Sequence, residues 1–123
     1  MKKLFIVSVF FTSLVIGCSA EYRKISAAEA NRMMSELKDF ILLDVRTVDE
    51  FKERRIRGAV LIPDNELKNR AEKELPDKNM TILVYCRSGR RSENAAKILH
   101  SLGYQNVYDF GGINNWPFET VSD

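Results

Sequence analysis

The chain has 123 residues, room for one domain with one modest core. Its 19 basic and 17 acidic residues leave a net charge of +2, which gives no global electrostatic case for binding nucleic acid. Two cysteines, Cys18 and Cys86, are too few for a scaffold held by disulfides.

In chain order, Met1-Lys2-Lys3 is a short basic start and Leu4 to Ile16 a nearly unbroken apolar run. The run is too short to span a bilayer comfortably and has the layout of a secretory leader. It ends in Val15-Ile16-Gly17-Cys18, which resembles the lipobox of bacterial lipoproteins. That resemblance implies a signal peptide over 1–17, cleavage before an acylated Cys18, and a domain over 18–123. It also implies an exported protein of the cell envelope, periplasmic or on the outer face of a membrane, held there by a lipid anchor. Without Lys2 and Lys3 the remainder carries 17 charges of each sign, so positive charge is local, at Arg54, Arg55 and Arg57 and at Arg87, Arg90 and Arg91.

Beyond the leader, short apolar runs alternate with helical patterns, which predicts an α/β domain with a parallel sheet and helices on both faces. Tyr22 to Ile25 reads as a short strand. Ser26-Ala27-Ala28-Glu29 has the form of a capping box opening a helix to about Leu37. Phe40 to Val45 is a buried strand with Asp44 near its end, and Thr47-Val48-Asp49-Glu50 opens a second, short helix broken by Gly58. Ala59 to Ile62 makes a strand stopped by Pro63, and Leu67, Ala71 and Leu75 mark one face of a helix ending at Pro76-Asp77. Met80 to Tyr85 is the most apolar strand, so both its faces are expected to be covered. Ala95, Leu99 and Leu102 mark a further helix under way by about Glu93, with Gly103 as its C-cap. Val107 to Phe110 gives a last strand, followed by Gly111-Gly112 and a turn carrying Trp116.

The chemistry is concentrated in Cys86-Arg87-Ser88-Gly89-Arg90-Arg91-Ser92. The stretch joins the end of the most buried strand to a helix N-terminus, and in parallel sheets ligands collect at that end of the strands. Amides without helical partners, the helix dipole and the nearby arginines together favour a thiolate and an anionic ligand. Gly89 permits the backbone angles of a curled loop. A free cysteine can also be only a small buried hydrophobe. The one histidine, His100, lies two turns or more into the following helix and reads as a surface or packing residue.

On these residues the chain is similar to single-domain rhodaneses, a family of sulfurtransferases. The likeness rests on "CRSGRRS" (86–92), on "LLDVRTVDEFKERRIRGAVLIP" (42–63) and on "FGGINNWPFE" (110–119). It implies a three-layer fold with a five-stranded parallel sheet, and transfer of a sulfane sulfur from thiosulfate or a similar donor through a Cys86 persulfide. The acceptor would be cyanide in an assay, and in life a thiol or a partner protein. Amides of Arg87, Ser88, Gly89, Arg90 and Arg91 would hold the persulfide, and the guanidinium groups the donor's sulfonate. Asp44, Arg46 and Ser92 would support the loop, Asp44 as a brace through the loop's amides or an arginine, or as a cap on the next helix, and Arg46 in a local ion pair with Glu50. No metal or organic cofactor is implied.

The chain departs from the family where residues 54–58 read Arg-Arg-Ile-Arg-Gly in place of the common Gly-His-Ile-Pro-Gly. Arg55 and Arg57 are then surface variation, or extra positive charge at the mouth of the site. Two other functions keep the same cysteine. Related phosphatases and arsenate reductases place an arginine six residues after it, where this chain has Ser92. A lipid-anchored module could carry sulfur or bind an anion without turnover.

Overall fold

Residues 22–123 are described by a computed structural model. The leader over 1–17 and the acylation site at Cys18 lie outside the described residues.

Five strands form one parallel sheet in the order β1-β5-β4-β2-β3. They are β1 (Arg23–Lys24), β2 (Ile41–Asp44), β3 (Val60–Leu61), β4 (Thr81–Cys86) and β5 (Asn106–Gly112). The helices between them are α1 (Ala27–Glu36), α2 (Val48–Glu53), α3 (Asp64–Glu74) and α4 (Arg90–Ser101), with a 3₁₀ turn at Ile113–Asn115. Local chemistry fixes several starts. The Ser26 hydroxyl accepts the Glu29 amide at 3.1 Å, and Thr47 with Glu50 completes a reciprocal capping box.

Period-two alternation on the central strands divides the core into two layers. Ile82, Val84 and Cys86 of β4 face Leu67 and Ala71 of α3 and Ala95 and Leu99 of α4. Leu83 and Tyr85 face Ala30 of α1, Phe110 and Trp116. Residues 82–86 are all buried, as a strand covered on both faces requires. By contrast, α2 contributes no buried residue and is attached through polar contacts.

Helix α4 is under way by Glu93 as expected and starts at Arg90, because Gly89 takes a positive φ of 111° as its N-cap and turns the chain at once. Two boundaries differ from the sequence expectation. Strand β5 runs on through Gly111 and Gly112, with a register shift opposite Val84 to Cys86. Helix α2 ends at Glu53, five residues before the expected breaker Gly58.

Candidate active site

Cys86 is the last residue of β4, 1% exposed, and pairs with Gly112 of β5. The chain then turns within Arg87, Ser88 and Gly89 before α4 begins. The Gly89 amide donates to Cys86 Sγ at 3.0 Å, and the Ser92 hydroxyl lies 3.4 Å from the same sulfur. Ser92 is fully buried and its Oγ is within reach of the carbonyls of Gly89 (3.0 Å) and Gly111 (3.3 Å). One hydroxyl proton can serve only one acceptor at a time, so Ser92 sits at a junction of thiol, loop and β5. The sulfur is thus held at a helix N-terminus, where it accepts the Gly89 amide and its thiol proton can be given to Ser92 Oγ.

The loop is pressed against β5. A Cβ at Gly112 would stand 2.1 Å from the Arg87 carbonyl oxygen and 2.6 Å from Ser88 Cα. The Asn114 amide donates to that same carbonyl at 3.1 Å. Gly112 and Asn114 therefore fix the path of the loop, and sequence reasoning assigned neither a role. The Gly111-Gly112 pair at the end of a strand was the available signal, since such a pair marks close backbone approach.

Charged groups pair differently from expectation. Arg46 does not pair with Glu50. Its amide and Nε donate to Asp44 Oδ1 at 2.9 and 3.0 Å, and Nη2 donates to Asp44 Oδ2 at 2.7 Å and to the Arg54 carbonyl. Asp44 is wholly buried and Arg46 3% exposed, so the expected brace holds Arg46 rather than the amides of the loop. The local ion pair fails because Arg46 leaves the strand folded back along it. Glu50 reaches instead across to α4, where Arg91 Nη1 and Nη2 grip it at 2.6 and 2.9 Å. Arg91 holds the Glu50 carboxyl at about 2, against burial acting the other way, and Glu50 in turn raises Arg91. The Arg91 guanidinium is thereby paired with a carboxylate.

Two cavities flank the loop. One of about 350 Å³ is lined by Arg46, Glu50, Glu53, Arg54, Arg87 and the 3₁₀ turn. The other, about 470 Å³, has Ser88, Gly89 and Arg90 on the loop side and Lys24, Glu93 and Asp109 opposite. Arg87 and Arg90 therefore serve different cavities. Arg55 stacks on Phe51 and pairs with Asp123 at 2.7 Å, and Arg57 lies 3.7 Å from Glu119. Both are turned toward the C-terminal segment. His100 is in the last turn of α4, at the far end from Cys86.

A profile of the rhodanese-like domain matches residues 26–118. The chain is 40% identical over 73 residues to the thiosulfate sulfurtransferase PspE of Escherichia coli (strain K12), covering 59% of this chain and 70% of that protein. It is 33% identical over 96 residues to the thiosulfate sulfurtransferase GlpE of Coxiella burnetii (strain RSA 331 / Henzerling II), covering 77% and 87%. Among solved structures, a rhodanese with anions from E. coli superposes with a TM-score of 0.63 at 36% identity, covering 68% of this chain and 98% of that one.

Proposed function

The chain belongs to the rhodanese-like domain family, and from that premise we propose that it moves a sulfane sulfur from thiosulfate or a similar donor to a thiophilic acceptor through a persulfide on Cys86. The observation that carries the reading is the buried Sγ at the α4 N-terminus, accepting the Gly89 amide at 3.0 Å with no histidine at hand. That position favours an anionic sulfur without a general base. The Cys86 thiolate attacks the outer sulfur of thiosulfate. A new sulfur–sulfur bond forms on Cys86 as the donor's own breaks, and the electron pair leaves with sulfite. An acceptor then attacks the outer sulfur of the persulfide, and the Cys86 thiolate is regenerated. Cyanide leaves as thiocyanate; a thiol leaves as a persulfide and gives its proton to solvent. Arg87, lining the cavity next to the loop, faces the donor's negative charge.

Ser92 is the observation against phosphatase chemistry. It fills the position six residues after Cys86 and packs its hydroxyl 3.4 Å from the sulfur, where an arginine would have to stand. The test uses the purified chain with thiosulfate. Intact mass should rise by one sulfur on Cys86, and cyanide should remove it as thiocyanate. Cys86→Ser should do neither. Absence of the adduct in wild type, or turnover surviving Cys86→Ser, overturns the proposal. Hydrolysis of a phenyl phosphate that depends on Cys86 would favour the phosphatase instead.

The leader supports a companion proposal, anchoring through acylated Cys18. Cys18→Ala should move the protein from the membrane fraction to the soluble one. A variant still bound, or a wild type already soluble, refutes it.

A further inference from the structure

We propose that Arg54, the C-cap residue of α2, is a donor-binding residue that holds the anionic end of the sulfur donor together with Arg46 and Arg87. The inference deepens the sulfur-transfer reading and rests on it. All three side chains line the 350 Å³ cavity at the side of the loop that carries Cys86.

Their charges are not equally spent. Arg46 gives Nε and Nη2 to Asp44 and to the Arg54 carbonyl, but Nη1 donates to no oxygen at hydrogen-bond geometry among the described residues. No buried side-chain nitrogen or oxygen there lacks a partner. Arg46 is 3% exposed and lines this cavity. Arg54 and Arg87 form no ion pair among the described residues. Of the two carboxylates in the lining, Glu50 is already gripped by Arg91 and by the Thr47 amide. Glu53 is exposed at the rim. Two guanidinium groups with no carboxylate partner thus outweigh one free carboxylate, which suits a small dianion such as thiosulfate and its product sulfite.

Arg54 is also held in position. Its amide donates to the Glu50 carbonyl, its carbonyl accepts Arg46 Nη2, and its own Nη2 donates to the Ile113 carbonyl at 3.2 Å. The side chain therefore bridges α2 to the 3₁₀ turn, while the Asn114 amide of that turn fixes the Arg87 carbonyl. An arginine placed beforehand loses less entropy when an anion arrives. The cavity on the other side of the loop is the poorer choice for a dianion. There Lys24 is bound to Glu93 at 2.9 Å, and Asp109 adds a second carboxylate.

The experiment separates this proposal from the function it rests on. Thiosulfate is titrated against Cys86→Ser, which cannot accept sulfur, and against Cys86→Ser with Arg54→Ala, with binding followed calorimetrically. Loss of one charge-assisted hydrogen-bonding group should weaken binding about tenfold, and Arg54→Lys should restore part of it. With Cys86 intact, Arg54→Ala should raise the thiosulfate concentration that half-saturates persulfide formation by about tenfold and leave its limiting rate within about twofold. Alkylation of Cys86 by uncharged iodoacetamide should stay within the same range, about twofold. Unchanged thiosulfate dependence in both backgrounds overturns the proposal. So does an equal fall in iodoacetamide alkylation, which marks Arg54 as structural support for the loop. Should wild type form no persulfide while Arg54 still sets thiosulfate affinity, the sulfur-transfer reading fails and the anion site stands.

Discussion

At Gly112 a single methyl group decides whether the loop between β4 and α4 keeps its path. The Cβ of an alanine would sit 2.1 Å from the Arg87 carbonyl oxygen, and that neighbour is backbone, already fixed by the Asn114 amide. The overlap can be relieved only by moving the loop off β5, which shifts the Gly89 amide from Cys86 Sγ. Gly112→Ala is therefore expected to slow persulfide formation at least about tenfold while far-UV circular dichroism stays that of a folded domain, since a displacement near 1 Å costs that much or more. A rate equal to wild type would mean that the loop tolerates displacement. Asp44→Ala works through desolvation instead. It leaves Arg46 buried without its carboxylate, which should cost about 3–5 kcal/mol in urea unfolding, and a loss under about 1 kcal/mol would mean that solvent reaches the pair. Cys86 and Gly89 were legible in the sequence because their chemistry is local, a thiol ending an apolar strand and a residue free to turn. The partners of Arg46 and Glu50 were not. Spacing of i, i+4 suggested that the two pair, yet Glu50 binds a residue 41 positions away, and no local pattern encodes that distance.

Helix α2 is the element whose attachment depends most on charge. It buries no residue, and its links to the rest include the Glu50–Arg91 bridge, the Arg46 bond to the Arg54 carbonyl, the Arg54 bond to Ile113 and the Asp123 amide on the Lys52 carbonyl. Glu50 titrates at about 2 in the folded state, lowered from 4.5 chiefly by the Arg91 hydrogen bonds. A depressed carboxyl contributes stability that is complete above its unfolded value and is lost as pH falls through the folded one. Both partners are partly exposed, which discounts the contribution to about 1–2 kcal/mol. Glu50→Gln should therefore unfold at lower urea than wild type at pH 7. The gap should narrow from near pH 4.5 downward and close near pH 2. A gap independent of pH would show that the amide loses shape complementarity rather than charge. At this scale the sequence was most informative where periodicity is long, as in β4 and α3. It was least informative where glycine sets the boundary. Gly111 and Gly112 extend β5, an effect that depends on backbone angles and on how close the neighbouring segment lies.

For the molecule as a whole, the central strands belong to both cores at once. Val84 and Cys86 pack with Leu99 on one face of β4, and Leu83 and Tyr85 pack with Trp116 on the other. Neither layer can lose order without releasing the strand that the other packs on, so the two should melt together. Trp116, the only tryptophan of the chain, lies in the second layer and reports on it alone. Leu99→Ala removes buried side-chain volume from the first layer and should cost about 2–5 kcal/mol, as should Leu83→Ala in the second. The informative measurement is Trp116 fluorescence in Leu99→Ala against urea, beside far-UV circular dichroism. Both midpoints should fall by the same amount although the mutated side chain and the reporter are on opposite faces of the sheet. A fluorescence midpoint that stays at the wild-type value while the helical signal moves would divide the domain into two units. The Cys86 loop would then belong to the first unit through Cys86 and to the second through Gly112 and Ile113, and Leu99→Ala would stop the proposed persulfide formation at urea concentrations that leave Trp116 buried.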